Sequence, residues 1–140
     1  MQFLGHALRS VLLAEDDQDD QEMLAYAFRE IAPQVAVISV PNGKKFMSYL
    51  ESIGEGELPA LIILDYNLPE VTGAEILNLL KSDRRYAHIP KIIWSTSASP
   101  VYRAICKTLG ARDYIVKPSD MATYLSTARH MLTFIEEPMR

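Results

Sequence analysis

Five short apolar runs punctuate the chain, and a stretch with helical spacing follows each. Residues 10–14 read SVLLA, 35–40 VAVISV, 60–64 ALIIL, 91–94 KIIW and 113–116 DYIV. Aliphatic side chains fill both alternating sets of positions, the pattern of parallel strands buried on both faces. Met23, Leu24, Ala27, Phe28 and Ile31 then recur at 3.6-type spacing over residues 21–31. Phe46, Met47, Leu50 and Ile53 do the same after the turn at Pro41, Asn42 and Gly43. Ile76, Leu77 and Leu80 mark residues 74–80, and Ile105 and Leu109 mark residues 101–109 before Gly110, a natural C-terminal cap. Residues 120–136 carry Met121, Tyr124, Leu125, Ala128, Leu132 and Ile135, with Ser119 as the expected N-cap.

Strand then helix, five times, predicts an α/β fold: a doubly wound, five-stranded parallel sheet with five helices on its two faces. Met23, Phe28, Phe46 and Met47 are expected in its core. Residues 54–57, GEGE, read as an internal loop. No repeat, low-complexity tract or linker interrupts the pattern. Residues 1–140 are therefore expected to form one domain, with its core at about 9–136 and no effector domain after it.

Composition narrows the class. At 140 residues the chain suits one domain, and such a domain buries roughly 68–70% of its unfolded surface. The net charge of −4 argues against a broad nucleic-acid face. One cysteine, Cys106, excludes an internal disulfide and suits a reducing compartment; it is expected as a small buried side chain on a helix. The first ten residues lack a signal peptide's apolar core, and no apolar run reaches the roughly 20 residues of a membrane span. A cytoplasmic protein without membrane contact is expected. His6, His88 and His130 share no ligand-like spacing and read as surface positions.

Ligands of an open parallel sheet bind beyond the carboxyl ends of its strands. Glu15, Asp16 and Asp17 follow the first run, Asp65, Tyr66 and Asn67 the third, Ser95 the fourth and Lys117 the fifth. Such a carboxylate cluster calls for a positive partner. Mg2+ takes one or two carboxylates plus waters and phosphate oxygens, so Glu15 and Asp16 with Asp65 form a candidate site. An EF-hand is excluded, because no glycine stands sixth from Asp16 or Asp17. Asp19 and Asp20 read as charges favoured at a helix N-terminus. Alone, Asp65 is equally a helix cap, Ser95 a turn residue and Lys117 a surface lysine. The bond before Pro118 is open to the cis form.

Together these residues resemble a known family. Leu13-Ala14-Glu15-Asp16-Asp17, Ile63-Leu64-Asp65-Tyr66-Asn67-Leu68-Pro69 through Gly73, Ser95, and Gly110-Ala111 with Tyr114-Ile115-Val116-Lys117-Pro118 look like the receiver domain of two-component response regulators. Ser95 lies 30 residues beyond Asp65 and Lys117 52 beyond it, where the family places its hydroxyl and its lysine. The acidic first loop and the lead-in at residues 84–90 are similar to single-domain receivers of the chemotaxis and phytochrome-associated type. Three departures stand out: serine instead of the commoner threonine at Ser95, the bulky Tyr66 after Asp65, and Trp94 just before the switch serine.

The resemblance implies a flavodoxin-like sheet of order 2-1-3-4-5. It implies Asp65 as phosphoacceptor. Mg2+ is then held by Glu15, Asp16, Asp65 and the backbone carbonyl of Asn67. Ser95 contacts the phosphoryl oxygen, Lys117 pairs with its charge, and Tyr114 is an aromatic switch that turns inward when Ser95 moves. Tyr102, Arg103, Lys107 and Tyr114 are expected as exposed reporters of that change. The implied partners are a histidine kinase or histidine phosphotransfer protein and a downstream protein of unknown identity, with homodimerisation left open and no nucleic acid bound directly. The chain then catalyses only its own phosphorylation and dephosphorylation. Two other readings compete. A phosphorylation-independent interaction module would have no need of the intact Glu15, Asp16, Asp65, Ser95 and Lys117 set. A metabolic enzyme would call for a second acid where Asn67 stands, or for a glycine-rich phosphate loop that the chain lacks.

Overall fold

The computed structural model describes residues 9–136; His6 and the expectations about both chain ends lie outside them. Five strands alternate with five α-helices: β1 (Arg9–Ala14), α1 (Gln18–Ile31), β2 (Val35–Val40), α2 (Gly43–Ser52), β3 (Leu61–Asp65), α3 (Gly73–Lys81), β4 (Lys91–Ser95), α4 (Pro100–Thr108), β5 (Asp113–Val116) and α5 (Met121–Glu136). A short 3-10 turn, Glu55–Glu57, occupies the expected loop. Every pairing is parallel and the strand order is 2-1-3-4-5, the flavodoxin-like arrangement expected.

Strand side chains alternate between two faces, and each face builds its own core. Val11, Leu13, Ile63 and Trp94 meet Leu24 and Phe28 of α1 and Tyr124 and Met131 of α5. Leu12, Ile62, Leu64 and Ile93 meet Phe46 and Leu50 of α2 and Ile76 and Leu80 of α3. Phe28 and Phe46 are fully buried, as expected, whereas Met23 and Met47 only border the core. Uniform burial of the strands is corrected at the edges. β3 and β4 are buried throughout, but β2 buries only Val35 and β5 only Tyr114. An edge strand has a neighbour on one side alone, so apolar content does not guarantee its burial.

The helices begin where short polar side chains satisfy free N–H groups. Asp17, Asn42, Thr72 and Ser99 cap α1, α2, α3 and α4, and Pro100 occupies the first turn of α4. The N-cap of α5 is Asp120, not Ser119: its carboxylate accepts the Thr123 N–H at 2.8 Å, and a negative charge suits that helix end. Gly110 follows α4 with φ +100°, a left-handed position that glycine adopts without strain. No described peptide bond is cis, so the Lys117–Pro118 bond is trans. Cys106 is buried on α4, and burial pushes its thiol up to about 11. His88 and His130 are exposed, and His130 pairs with Asp113 at 2.6 Å. No described helix is long and apolar enough to cross a membrane.

Candidate functional site

Register carries the chemistry to one edge of the sheet. Ala14 pairs with Leu64, Asp65 with Trp94, and Ser95 with Val116. Glu15, Asp65, Ser95 and Lys117 therefore meet at the carboxyl ends of β1, β3, β4 and β5. Glu15 and Ser95 are fully buried, Asp65 nearly so, and Asp16 is exposed. One carboxylate oxygen each from Glu15, Asp16 and Asp65 lies within 4.8 Å of the others. The Lys117 ammonium reaches Glu15 Oε1 at 2.7 Å, Asp20 Oδ2 at 2.9 Å and Asp65 Oδ2 at 3.1 Å. The Asn67 N–H donates to Asp65 Oδ1 at 2.9 Å. Gly73 lets the start of α3 close on this loop: a Cβ there would stand 2.6 Å from the Asp65 carbonyl oxygen.

A family model for the response regulator receiver domain matches residues 11–129. The chain belongs to that family. The receiver is 34% identical over 118 residues to the two-component response regulator ORR1 of Oryza sativa subsp. japonica, an alignment covering 81% of this chain and 51% of that protein. It is 33% identical to ORR11 of Oryza sativa subsp. indica, over 81% of this chain and 74% of that one. The receiver thus spans about half the length of the first of these relatives. Among solved structures, the phosphorylated cyanobacterial phytochrome response regulator RcpA is similar over 96% of this chain and 98% of its own, with a TM-score of 0.84 and 28% identity.

Electrostatics of the receiver's site follow from burial. Burial foremost, with the neighbouring Asp65 carboxylate, pushes Glu15 up to about 7, while Lys117 opposes that shift. Burial also works against the Lys117 charge, but hydrogen bonds to Glu15 and Asp20 outweigh it and hold the ammonium above its ordinary range. The two partners pull in opposite senses. We take them as an ion pair, because Glu15 accepts from three N–H donors: Lys117, the Trp94 indole at 2.9 Å and the Asp17 backbone at 3.0 Å.

Two residues depart from expectation. Asp20 is more than a helix-terminal charge: it bonds Lys117, and the Tyr124 hydroxyl donates to it at 3.4 Å. Its place in the first turn of α1, close in sequence to Glu15 and Asp16, is the available signal. Tyr114 is no exposed reporter. It is buried, its hydroxyl donates to the Ser97 carbonyl at 2.7 Å, and the Arg103 guanidinium lies 4.8 Å over its ring. The inward position expected after switching is already taken, because the core beside Cys106 and Ile93 accepts the ring. Tyr102, Arg103 and Lys107 are exposed as expected. The Ser95 hydroxyl accepts the Ser97 N–H at 3.0 Å, Ser97 accepts from Ser99 at 3.1 Å, and Ser99 caps α4. The loop after β4 thus links the site to that helix.

Proposed function

We propose that this receiver accepts a phosphoryl group on Asp65 in a Mg2+-dependent reaction and signals by altered contacts with another protein. The observation that carries this reading is the convergence of Glu15, Asp16 and Asp65, with oxygens within 4.8 Å of one another, and the pairing of Glu15 and Asp65 with Lys117 beside the buried Ser95. The oxygen-only donor set fits a hard divalent cation. Glu15, Asp16, Asp65 and the Asn67 carbonyl would hold it, and it would supply positive charge to the transferring phosphoryl group.

Asp65 already stands as a carboxylate paired with Lys117 at 3.1 Å, so its oxygen needs no general base. Its oxygen attacks phosphorus, and the bond to the donor breaks: a phosphohistidine nitrogen on a kinase or phosphotransfer protein, or the oxygen of a small acyl phosphate. Phosphoryl transfer depends mainly on positioning and charge stabilisation. Lys117, already beside Asp65, neutralises the arriving charge. The Ser95 hydroxyl donates to a phosphoryl oxygen. Water later hydrolyses the acyl phosphate, and the chain acts on no other substrate. The new charge of about −1.5 to −2 draws on Ser95, and the Ser97 and Ser99 links pass its movement to α4, where Tyr102, Arg103 and Lys107 form the altered surface. A cytoplasmic location suits such a role and the free Cys106.

Beryllofluoride, a stable stand-in for the phosphoryl group, tests the reading. With Mg2+ it is expected to change the fluorescence of Trp94, which touches Glu15, and to tighten Mg2+ binding; Asp65→Asn removes both effects. Unchanged fluorescence and Mg2+ affinity would favour the phosphorylation-independent module instead.

A further inference from the structure

The departure at Trp94 joins three parts of the site. Its indole N–H donates to Glu15 Oε1 at 2.9 Å, the oxygen that also receives Lys117. Its backbone carbonyl accepts the Tyr66 N–H at 3.1 Å, directly after Asp65. Its ring is fully buried and meets Tyr124 of α5 edge-on, with centroids 5.9 Å apart. Glu15 Oε2 is fixed in turn by the Asp17 N–H. Trp94 packs in the apolar core with Leu13, Ile63 and Tyr124, and there the N–H and the carboxylate hold each other in one orientation.

We propose that Trp94 is a positioning residue for divalent-cation binding: its indole N–H orients Glu15 toward Asp16 and Asp65. Carboxylates that ligate metals are commonly steered by such outer hydrogen bonds, and losing one weakens metal affinity by about 10–100-fold. A second consequence concerns coupling. Trp94 adjoins Ser95, so the orientation of a cation ligand and the position of the phosphoryl-contacting hydroxyl depend on the same two residues of β4. The inference rests on the cation reading of the acid cluster.

Trp94 is the sole tryptophan, so biosynthetic replacement is clean. Benzothienylalanine substitutes sulfur for the N–H with almost no change of shape, whereas 7-azatryptophan keeps the donor. Mg2+ affinity, read by calorimetry, is expected to fall at least about tenfold with benzothienylalanine and to stay within about twofold of the parent with 7-azatryptophan. Trp94→Phe is expected to follow the former, with thermal melting checking that it folds. Equal Mg2+ affinity in parent and benzothienylalanine protein would overturn the role of Trp94 while leaving the site standing. A parent protein that binds no Mg2+ would overturn the site reading and this inference together.

Discussion

Two lysines, Lys91 buried and Lys117 half-buried, sit at opposite ends of the same sheet. Lys117, past the carboxyl end of β5, is ringed by Glu15, Asp20 and Asp65 and held more basic than usual. Lys91, at the amino end of β4, is 5% exposed, and its ammonium donates to the carbonyls of Tyr86 (2.6 Å) and Ala87 (3.2 Å). Burial, with a smaller contribution from Arg112, lowers it to about 8. The same residue type is thus stabilised as a cation at one end and disfavoured at the other. One end of the sheet gathers more carboxylates than a single lysine neutralises, and the proposed cation site rests on that excess. The other end closes a loop.

Removing each lysine should sharpen that contrast most. Lys117→Met leaves Glu15, Asp20 and Asp65 facing one another, and breaking a buried ion pair costs about 3–5 kcal/mol. Lys91→Met exchanges a disfavoured buried cation for an apolar chain and is expected to shift stability by less than about 1 kcal/mol. Urea unfolding of both variants without divalent cation measures the difference. Similar losses would break the comparison.

Next in size is Asp65→Asn. Removing one of several like charges should stabilise the cation-free protein, on the order of 1 kcal/mol. Saturating Mg2+ should shrink that gain, because the parent alone keeps the full ligand set. Melting temperatures with and without Mg2+ check both statements.

Ser99→Ala removes the cap of α4 and is expected to cost about 1 kcal/mol. Hydrogen exchange should quicken in α4 and leave α1 unchanged. Equal effects on both helices would argue against a loop that speaks to α4 alone.

The last contrast is in pH dependence. Lys91 binds its proton less tightly folded, at about 8, than unfolded, at 10.5. Between those values the unfolded chain holds more protons, so the Lys91 contribution to stability rises with pH across that window. Urea midpoints of parent and Lys91→Met at about pH 7 and about pH 10 should move in the parent's favour at the higher pH.

Much of this was legible in the sequence because the signals are local. Apolar runs marked the strands, and the polar residues just beyond them marked the site. Burial was less legible: β2 reads VAVISV, but as an edge strand it buries Val35 alone. Sequence places the cap of α5 one residue early, at Ser119, because Ser119 and Asp120 both suit the position and only geometry chooses. Asp20 read as a helix-end charge because its partner, Lys117, lies 97 residues away. Trp94 stood out as unusual, but its bond to Glu15, 79 residues distant, depends on the fold. Sequence carries no record of side-chain rotamer, so it does not reveal that Tyr114 turns inward.

The most direct test is acid-quenched intact mass after incubation with acetyl phosphate, with and without Mg2+, beside Asp65→Asn. The account expects a gain of one phosphoryl group that requires Mg2+ and vanishes in the variant. Equal phosphorylation of Asp65→Asn, or a gain indifferent to Mg2+, would contradict it.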